Sequence, residues 1–222
     1  MQDSRVFLFA GHYGSGKTNI AVNFALHLQG AHAEKKVAIA DLDIVNPYFR
    51  TKDSARELDR AGIRLICSDY ANTNLDIPAL PQETYRLVMQ NDYYAVFDIG
   101  GDDRGALALG RYAPYILEEN RYSMWFVVNF YRPLTQDADA ALEVLREIEA
   151  AGGIPFSGII NNSNLGRETS AETVLLSQKK AEELAEKTNL PIVMTTVEET
   201  VAKTLNGTLP TLFPIRLQEK IF

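Results

Sequence analysis

The sequence predicts an α/β protein: a doubly wound, mainly parallel sheet of about seven strands with helices on both faces. Three observations carry that expectation. Short apolar, β-rich runs alternate with longer stretches of helical periodicity along the whole chain. The strand candidates are near-continuously apolar, as in Trp125-Phe126-Val127-Val128, which suits strands covered on both faces. Near the N-terminus an apolar strand, a glycine-rich turn and an apolar helix follow one another without interruption.

In order, the strands are expected at Val6–Ala10, Lys36–Ala40, Ile63–Cys67, Tyr94–Asp98, Ser123–Asn129, Phe156–Ile160 and Pro191–Met194. Helices are expected at Lys17–Gln29, Ser54–Ala61, Gln82–Gln90, Thr135–Ala151 and Ala171–Thr188, with shorter pieces in Ala106–Glu119 and Val197–Leu205. Asn72–Pro81, with two prolines, reads as a surface loop. No repeat or linker divides the 222 residues, so residues 1–222 form one domain.

Composition narrows the setting. Hydrophobic residues make up 46% and charged residues 23%, and 29 acids against 22 bases leave a net charge of −7. No basic block is present to attract nucleic acid or anionic lipid. No run of about 18 apolar residues exists to span a membrane, and no signal segment opens the chain. The single cysteine, Cys67, has no partner for a disulfide and reads as a buried thiol. A cytoplasmic protein is expected.

The chemistry begins at Gly11-His12-Tyr13-Gly14-Ser15-Gly16-Lys17-Thr18, a glycine, four residues, then Gly-Lys-Thr. That spacing between a strand and a helix makes a phosphate-binding loop. Free backbone N–H groups and the positive end of the helix dipole converge there on an anion. In open parallel sheets the ligand lies beyond the carboxyl ends of the strands, so the other strand ends are the places to look.

The second strand candidate runs into Asp41-Leu42-Asp43, whose alternate carboxylates leave the strand on one side. Asp43 is the better candidate for metal or water positioning, because Asp41 can still lie within the strand; a turn cap is the rival role. The fourth strand ends Asp98-Ile99-Gly100-Gly101-Asp102-Asp103, where Asp98 is placed to hold Mg²⁺ with Thr18. The glycines allow a backbone N–H close to a terminal phosphate, which suits Gly101 as its sensor. The sixth strand ends Asn161-Asn162-Ser163-Asn164; from the residues alone, base-reading amide and simple turn former stand even.

Together these segments resemble the branch of P-loop NTPases that contains MinD, ParA and the nitrogenase iron protein (the CobQ/CobB/MinD/ParA nucleotide-binding domains), in the right order and over nearly the whole chain. The resemblance implies that Asp43 is the switch I aspartate orienting the hydrolytic water. It implies that Asp98-Ile-Gly-Gly-Asp102 is switch II, and that Asn162 contacts the base. Many members carry an extra lysine early in the phosphate loop that reaches a dimer partner's phosphates. His12 fills that slot here. No cysteines match the cluster ligands of the iron protein. The segment Leu212–Phe222 is similar in position to MinD's membrane helix, but Pro210 and Pro214 favour a terminus packed on the domain.

The expected activity is Mg²⁺-dependent ATP hydrolysis used as a conformational switch, with ATP preferred over GTP. The loop N–H groups of Gly14, Ser15, Gly16, Lys17 and Thr18 cradle the phosphates behind Gly11, and Lys17 neutralises the β,γ-phosphates. Two alternatives stand beside it. One is a kinase on the same scaffold, with Arg50, Arg104 or Arg111 as basic residues near the switch segments, while Arg56 and Arg60 read as a solvated helix face. The other is a nucleotide-binding regulator without catalysis. A homodimer or an unidentified protein partner is expected, and Asn46-Pro47-Tyr48-Phe49-Arg50 is either a partner contact or switch packing.

Overall fold

A computed structural model describes residues 4–43, 51–67, 82–101 and 103–217. The expectations for Asn46–Arg50, the loop Asn72–Pro81, Asp102 and residues 218–222 lie outside them.

The elements in chain order are β1 (Val6–Ala10), α1 (Lys17–Ala31), β2 (Lys36–Leu42), α2 (Ala55–Arg60), β3 (Arg64–Ile66), α3 (Gln82–Met89), β4 (Tyr93–Ile99) and α4 (Asp103–Gly110). They continue with α5 (Ala113–Glu119), β5 (Tyr122–Val128), α6 (Ala138–Gly152), β6 (Gly158–Asn161), α7 (Ala171–Thr188), β7 (Ile192–Glu198), α8 (Glu199–Leu205) and β8 (Leu212–Ile215). The strands form one sheet in the order β3-β2-β4-β1-β5-β6-β7-β8, and its pairings are parallel. The architecture agrees with the sequence reading, with one strand more.

β1 shows how the pattern builds the core. Its five residues are all buried, because they alternate between two packed faces. Val6, Leu8 and Ala10 join the cluster that includes Tyr112, Phe126 and Ile159 on one face. Phe7 and Phe9 join Phe24 of α1 and Trp125 of β5 on the other. Ring centroids there lie 4.9 Å apart for Phe7–Phe24, 5.2 Å for Phe9–Trp125 and 5.1 Å for Phe24–Trp125. Such pairs add about 0.5–1.5 kcal/mol each beyond the area they bury. This aromatic packing fixes α1, and with it the loop that precedes α1. At the opposite end of the sheet, the buried Arg5 pairs with Glu119 and donates to the carbonyls of Leu87 and Val88.

One expectation holds and three need correction. The start of the tail packs on the domain: Leu212–Ile215 is the eighth strand, paired with β7 at the sheet edge. Proline is tolerated on an edge strand because one side of its ladder faces no neighbour, and Pro214 stands there. β8 is fastened to α1 by the Asn23 side chain, which donates to the Arg216 carbonyl and accepts from the Arg216 N–H, both at 2.9 Å. The helical stretch 106–119 is two helices, the second opening with Pro114 in its first turn, where the missing N–H costs nothing. The expected helix at 197–205 starts at Glu199, because β7 extends to Glu198. Cys67 is partly exposed, just past the end of β3.

Candidate phosphate-binding site

β1 lies between β4 and β5, at the point where the strand order reverses direction. A crevice forms at the carboxyl ends of strands around such a point. The loop 11–18 sits in it. Gly14 and Gly16 have φ of 78° and 90°, a backbone region that L side chains rarely adopt. A Cβ on Gly11 would collide with the Val127 carbonyl of β5, and one on Gly16 with the Asn162 carboxamide. The pattern's glycines are therefore required by turn geometry and by close packing.

Helix α1 starts at Lys17 with no side-chain cap at Gly16 and no acidic residue in its first turn. A helix start without a cap leaves N–H groups and the dipole's positive end for an anion. Not every loop amide points inward. The Ser15 N–H donates to the His12 carbonyl at 3.1 Å, closing a turn, so the expected cradle of Gly14 to Thr18 narrows at that position. Lys17 and Thr18 are buried, and the Lys17 ammonium lies 3.4 Å from the His12 carbonyl. His12 itself is half-buried, with Nδ1 3.0 Å from the Tyr13 carbonyl.

Asp98 is the penultimate residue of β4, beside this loop and in register with Phe9 of β1 and Asp41 of β2. It is fully buried. Burial pushes its carboxyl up, and the neighbouring Asp43 carboxylate pushes the same way. Lys17 and the hydroxyls of Thr18 and Thr51 pull it back, leaving it at about 6. Oδ2 accepts from the Thr51 hydroxyl at 3.1 Å, whereas Oδ1 makes no hydrogen bond among the described residues. A buried carboxylate oxygen without a partner, next to a threonine hydroxyl at a phosphate loop, fits a hard divalent cation such as Mg²⁺. Among the described residues no group of three His, Cys, Asp or Glu side chains gathers for a metal. A cation here would complete its shell with phosphate oxygens and water.

Asp41 and Asp43 divide their work. Asp41 lies in β2, and its Oδ1 accepts the Asp43 N–H at 2.9 Å, so Asp41 sets the turn that presents Asp43. Asp43 stands just past the strand, partly exposed and near enough to raise Asp98. On the other flank, a Cβ on Gly101 would lie 2.6 Å from the Tyr13 nitrogen and 2.8 Å from the Lys17 ammonium. The backbone after β4 thus rests directly on the phosphate loop.

Asn162 is buried against the same loop. Its Nδ2 donates to the Ser15 carbonyl at 2.6 Å, and its Oδ1 accepts from the Thr196 hydroxyl at 2.6 Å. The amide expected to read a base here braces the loop against β7. Two contributors were not anticipated from spacing. Thr51 follows the second strand at a distance that carries no motif. Arg132, after β5, donates from Nε to the Gly14 carbonyl at 3.1 Å. Arg56 and Arg60 are exposed, as a solvated face requires, and Arg111 is exposed too. Arg50 and the Arg104 side chain lie outside the described residues.

The fold is that of the P-loop NTPases. Solved structures that share it include the cell division protein FtsY from Thermotoga maritima, at 16% identity and a TM-score of 0.58 over 87% of this chain and 62% of that one. The signal recognition particle 54 kDa protein from Aeropyrum pernix, in complex with GDP, matches at 15% identity and a TM-score of 0.52, over 86% of this chain and 40% of that one. A nucleotide-binding protein from Archaeoglobus fulgidus, in complex with ADP, matches at 16% identity and a TM-score of 0.50, over 96% of this chain and 94% of that one. The chain spans 60% and 62% of the length of two FtsY structures it matches. At these identities the likeness is one of fold. FtsY and the 54 kDa protein stand outside the MinD and ParA branch, so the narrower resemblance gains no support from them. No protein-family model matches the chain, and no curated protein matches it in sequence. Among the described residues no helix is long and apolar enough to cross a membrane.

Proposed function

We propose that this chain is a Mg²⁺-dependent nucleoside-triphosphate hydrolase that uses ATP and couples the cleavage to movement of its switch segments. The observation that carries the reading is the buried, half-satisfied Asp98 carboxylate beside Lys17 and Thr18 at an uncapped helix start. Thr18 and Asp98 would hold Mg²⁺, which supplies charge neutralisation on the β- and γ-phosphates. Lys17 binds the same oxygens. Asp43, the partly exposed carboxylate at the mouth, orients the attacking water. Gly101, pressed on the loop, carries the arrival and loss of the γ-phosphate into the segment that follows β4. These roles for Asp43 and Gly101 follow the resemblance to the MinD and ParA branch.

The preference for ATP over GTP follows the resemblance to the MinD and ParA branch. Neighbouring structures hold either GDP or ADP, so the fold itself is neutral on the base. The test is calorimetry with Mg-ATP and Mg-GTP, followed by phosphate release without an added acceptor. Binding of Mg-ATP and slow release of free phosphate are expected. Lack of Mg²⁺-dependent binding of either nucleotide overturns the proposal, and ADP formation only with an acceptor makes the protein a kinase. Tight binding with no turnover makes it a regulator.

A further inference from the structure

We infer that Arg132 is an arginine clamp supplied in cis, which leaves the rim of the phosphate loop to contact the terminal phosphate of the bound nucleotide. The inference rests on the reading that loop 11–18 binds a nucleoside triphosphate.

Arg132 follows β5, just beyond the fully buried Asn129 that comes directly after the strand. The Asn129 Oδ1 accepts the Tyr131 N–H at 3.0 Å, and the Thr135 hydroxyl donates to the Asn129 carbonyl at 2.7 Å. A further bond runs from the Arg132 N–H to the Asn129 carbonyl at 3.1 Å. The backbone that carries the arginine is therefore fixed, while the side chain is exposed. It lies along Gly14, with Nε, Cδ and Cζ 3.6–4.0 Å from where a Cβ of that glycine would stand.

Its hydrogen bond there is a single one, from Nε to the neutral Gly14 carbonyl. Nη1 and Nη2 make no hydrogen bond and no ion pair among the described residues. A guanidinium has five donors arranged to grip phosphate or carboxylate oxygens through its terminal nitrogens. Here the terminal fork is left over. A carbonyl on an exposed rim is a weak partner beside a triphosphate with several negative charges a few ångströms away. When nucleotide fills the loop, rotation about the side-chain torsions carries the fork from the rim to the phosphates without moving the backbone. Charge builds on the terminal phosphoryl group and the leaving oxygen as the anhydride breaks, so a cation that engages late favours the transition state over the ground state. Lys17 is buried in the loop, whereas the exposed Arg132 side chain is free to arrive late.

The test compares Arg132→Ala, Arg132→Lys and Arg132→Gln with the unaltered chain, measuring affinity for Mg-ADP and for Mg-ADP with aluminium fluoride, a mimic of the transferring phosphoryl group. Arg132→Ala is expected to weaken the aluminium fluoride complex by about tenfold or more while Mg-ADP affinity stays within about twofold. Arg132→Lys should recover part of the loss by its charge. Arg132→Gln, which can still donate to the Gly14 carbonyl, should not. Equal weakening of both complexes, or rescue by Gln as good as by Lys, would mean that Arg132 only braces Gly14, and overturns the inference. So does an Arg132→Ala chain that behaves like the original. If the unaltered chain binds neither complex, the nucleotide reading falls and takes this inference with it; binding of Mg-ADP by the unaltered chain separates the two failures.

Discussion

The Thr51 hydroxyl donates to Oδ2 of Asp98 at 3.1 Å, while Oδ1 of the same buried carboxylate receives no hydrogen bond among the described residues. One oxygen is thus committed to orienting the group and the other is left for a ligand. Thr51→Val removes the orienting donor and leaves a nearly isostructural methyl. Losing a hydrogen bond to a buried charged group costs about 1.5–3 kcal/mol. Mg-ATP affinity measured by calorimetry should fall accordingly, with Mg²⁺-free nucleotide binding little changed. An unaltered Mg²⁺ dependence would show that Thr51 is packing alone.

Asp98 also sets a pH dependence. Its ordinary value is 3.8 and its value in the fold is about 6, raised chiefly by burial. Between those values the native state keeps a proton that the unfolded chain releases. The stability from the neutral carboxyl is therefore fully present below 3.8 and lost as pH rises through about 6. At about 1.4 kcal/mol per pH unit the loss is on the order of 3 kcal/mol in the metal-free protein. Asp98→Asn should raise the melting temperature of metal-free protein near neutral pH, by an amount that shrinks on acidification. The same change should abolish the contribution of Mg²⁺ to nucleotide binding. A destabilised Asp98→Asn chain at neutral pH contradicts the account.

Lys17 and Asp43 separate binding from turnover. Lys17→Ala should abolish ATP binding or hydrolysis outright, because the buried ammonium is the charge inside the loop. Asp43→Ala should leave Mg-ATP affinity nearly unchanged and reduce phosphate release by about a hundredfold or more. Equal loss of affinity in both would remove the distinct role of Asp43.

Asn162 distinguishes bracing from base reading. Asn162→Ala strands the Ser15 carbonyl and the Thr196 hydroxyl, at a cost of about 1–3 kcal/mol in stability. If its work is to brace the loop, affinity for ATP, GTP and inorganic triphosphate should fall by similar factors. A loss confined to ATP would assign the amide to the base.

Glycines provide a control. Gly30 lies in α1 with open space around it, so Gly30→Ala should stabilise the helix by about 0.5–1 kcal/mol and leave nucleotide binding alone. A Cβ at Gly101 meets the Tyr13 backbone and the Lys17 ammonium, so Gly101→Ala should instead impair nucleotide binding with little change in melting temperature. Calorimetry and thermal melts on the pair decide it.

Much of this was legible in one dimension. The strand and helix periods gave β1, α1 and α7 with little or no error, because those segments are long or fully buried and the pattern is uninterrupted. β8 escaped because its four residues include Pro214, and only its place at the edge makes that tolerable. The loop and the aspartates at 43 and 98 were visible because strand ends gather at one rim. Thr51 and Arg132 were invisible for the complementary reason: each reaches the site across a distance in sequence that has no fixed spacing. Asn162 was visible as a residue but not as a brace, since its partners, Ser15 and Thr196, belong to other elements.

The position of β1 in the sheet has a consequence during synthesis. Among the described residues β1 pairs with β4 and β5, Val6 standing opposite Ala95 on one side and Tyr122 on the other. Gly11 is packed against Val127. Pairings across such separations close late and slowly, after the intervening chain exists. The Gly-Lys-Thr signature therefore leaves the ribosome more than a hundred residues ahead of β5, and the nascent chain must wait for that strand before the signature has anything to lean on.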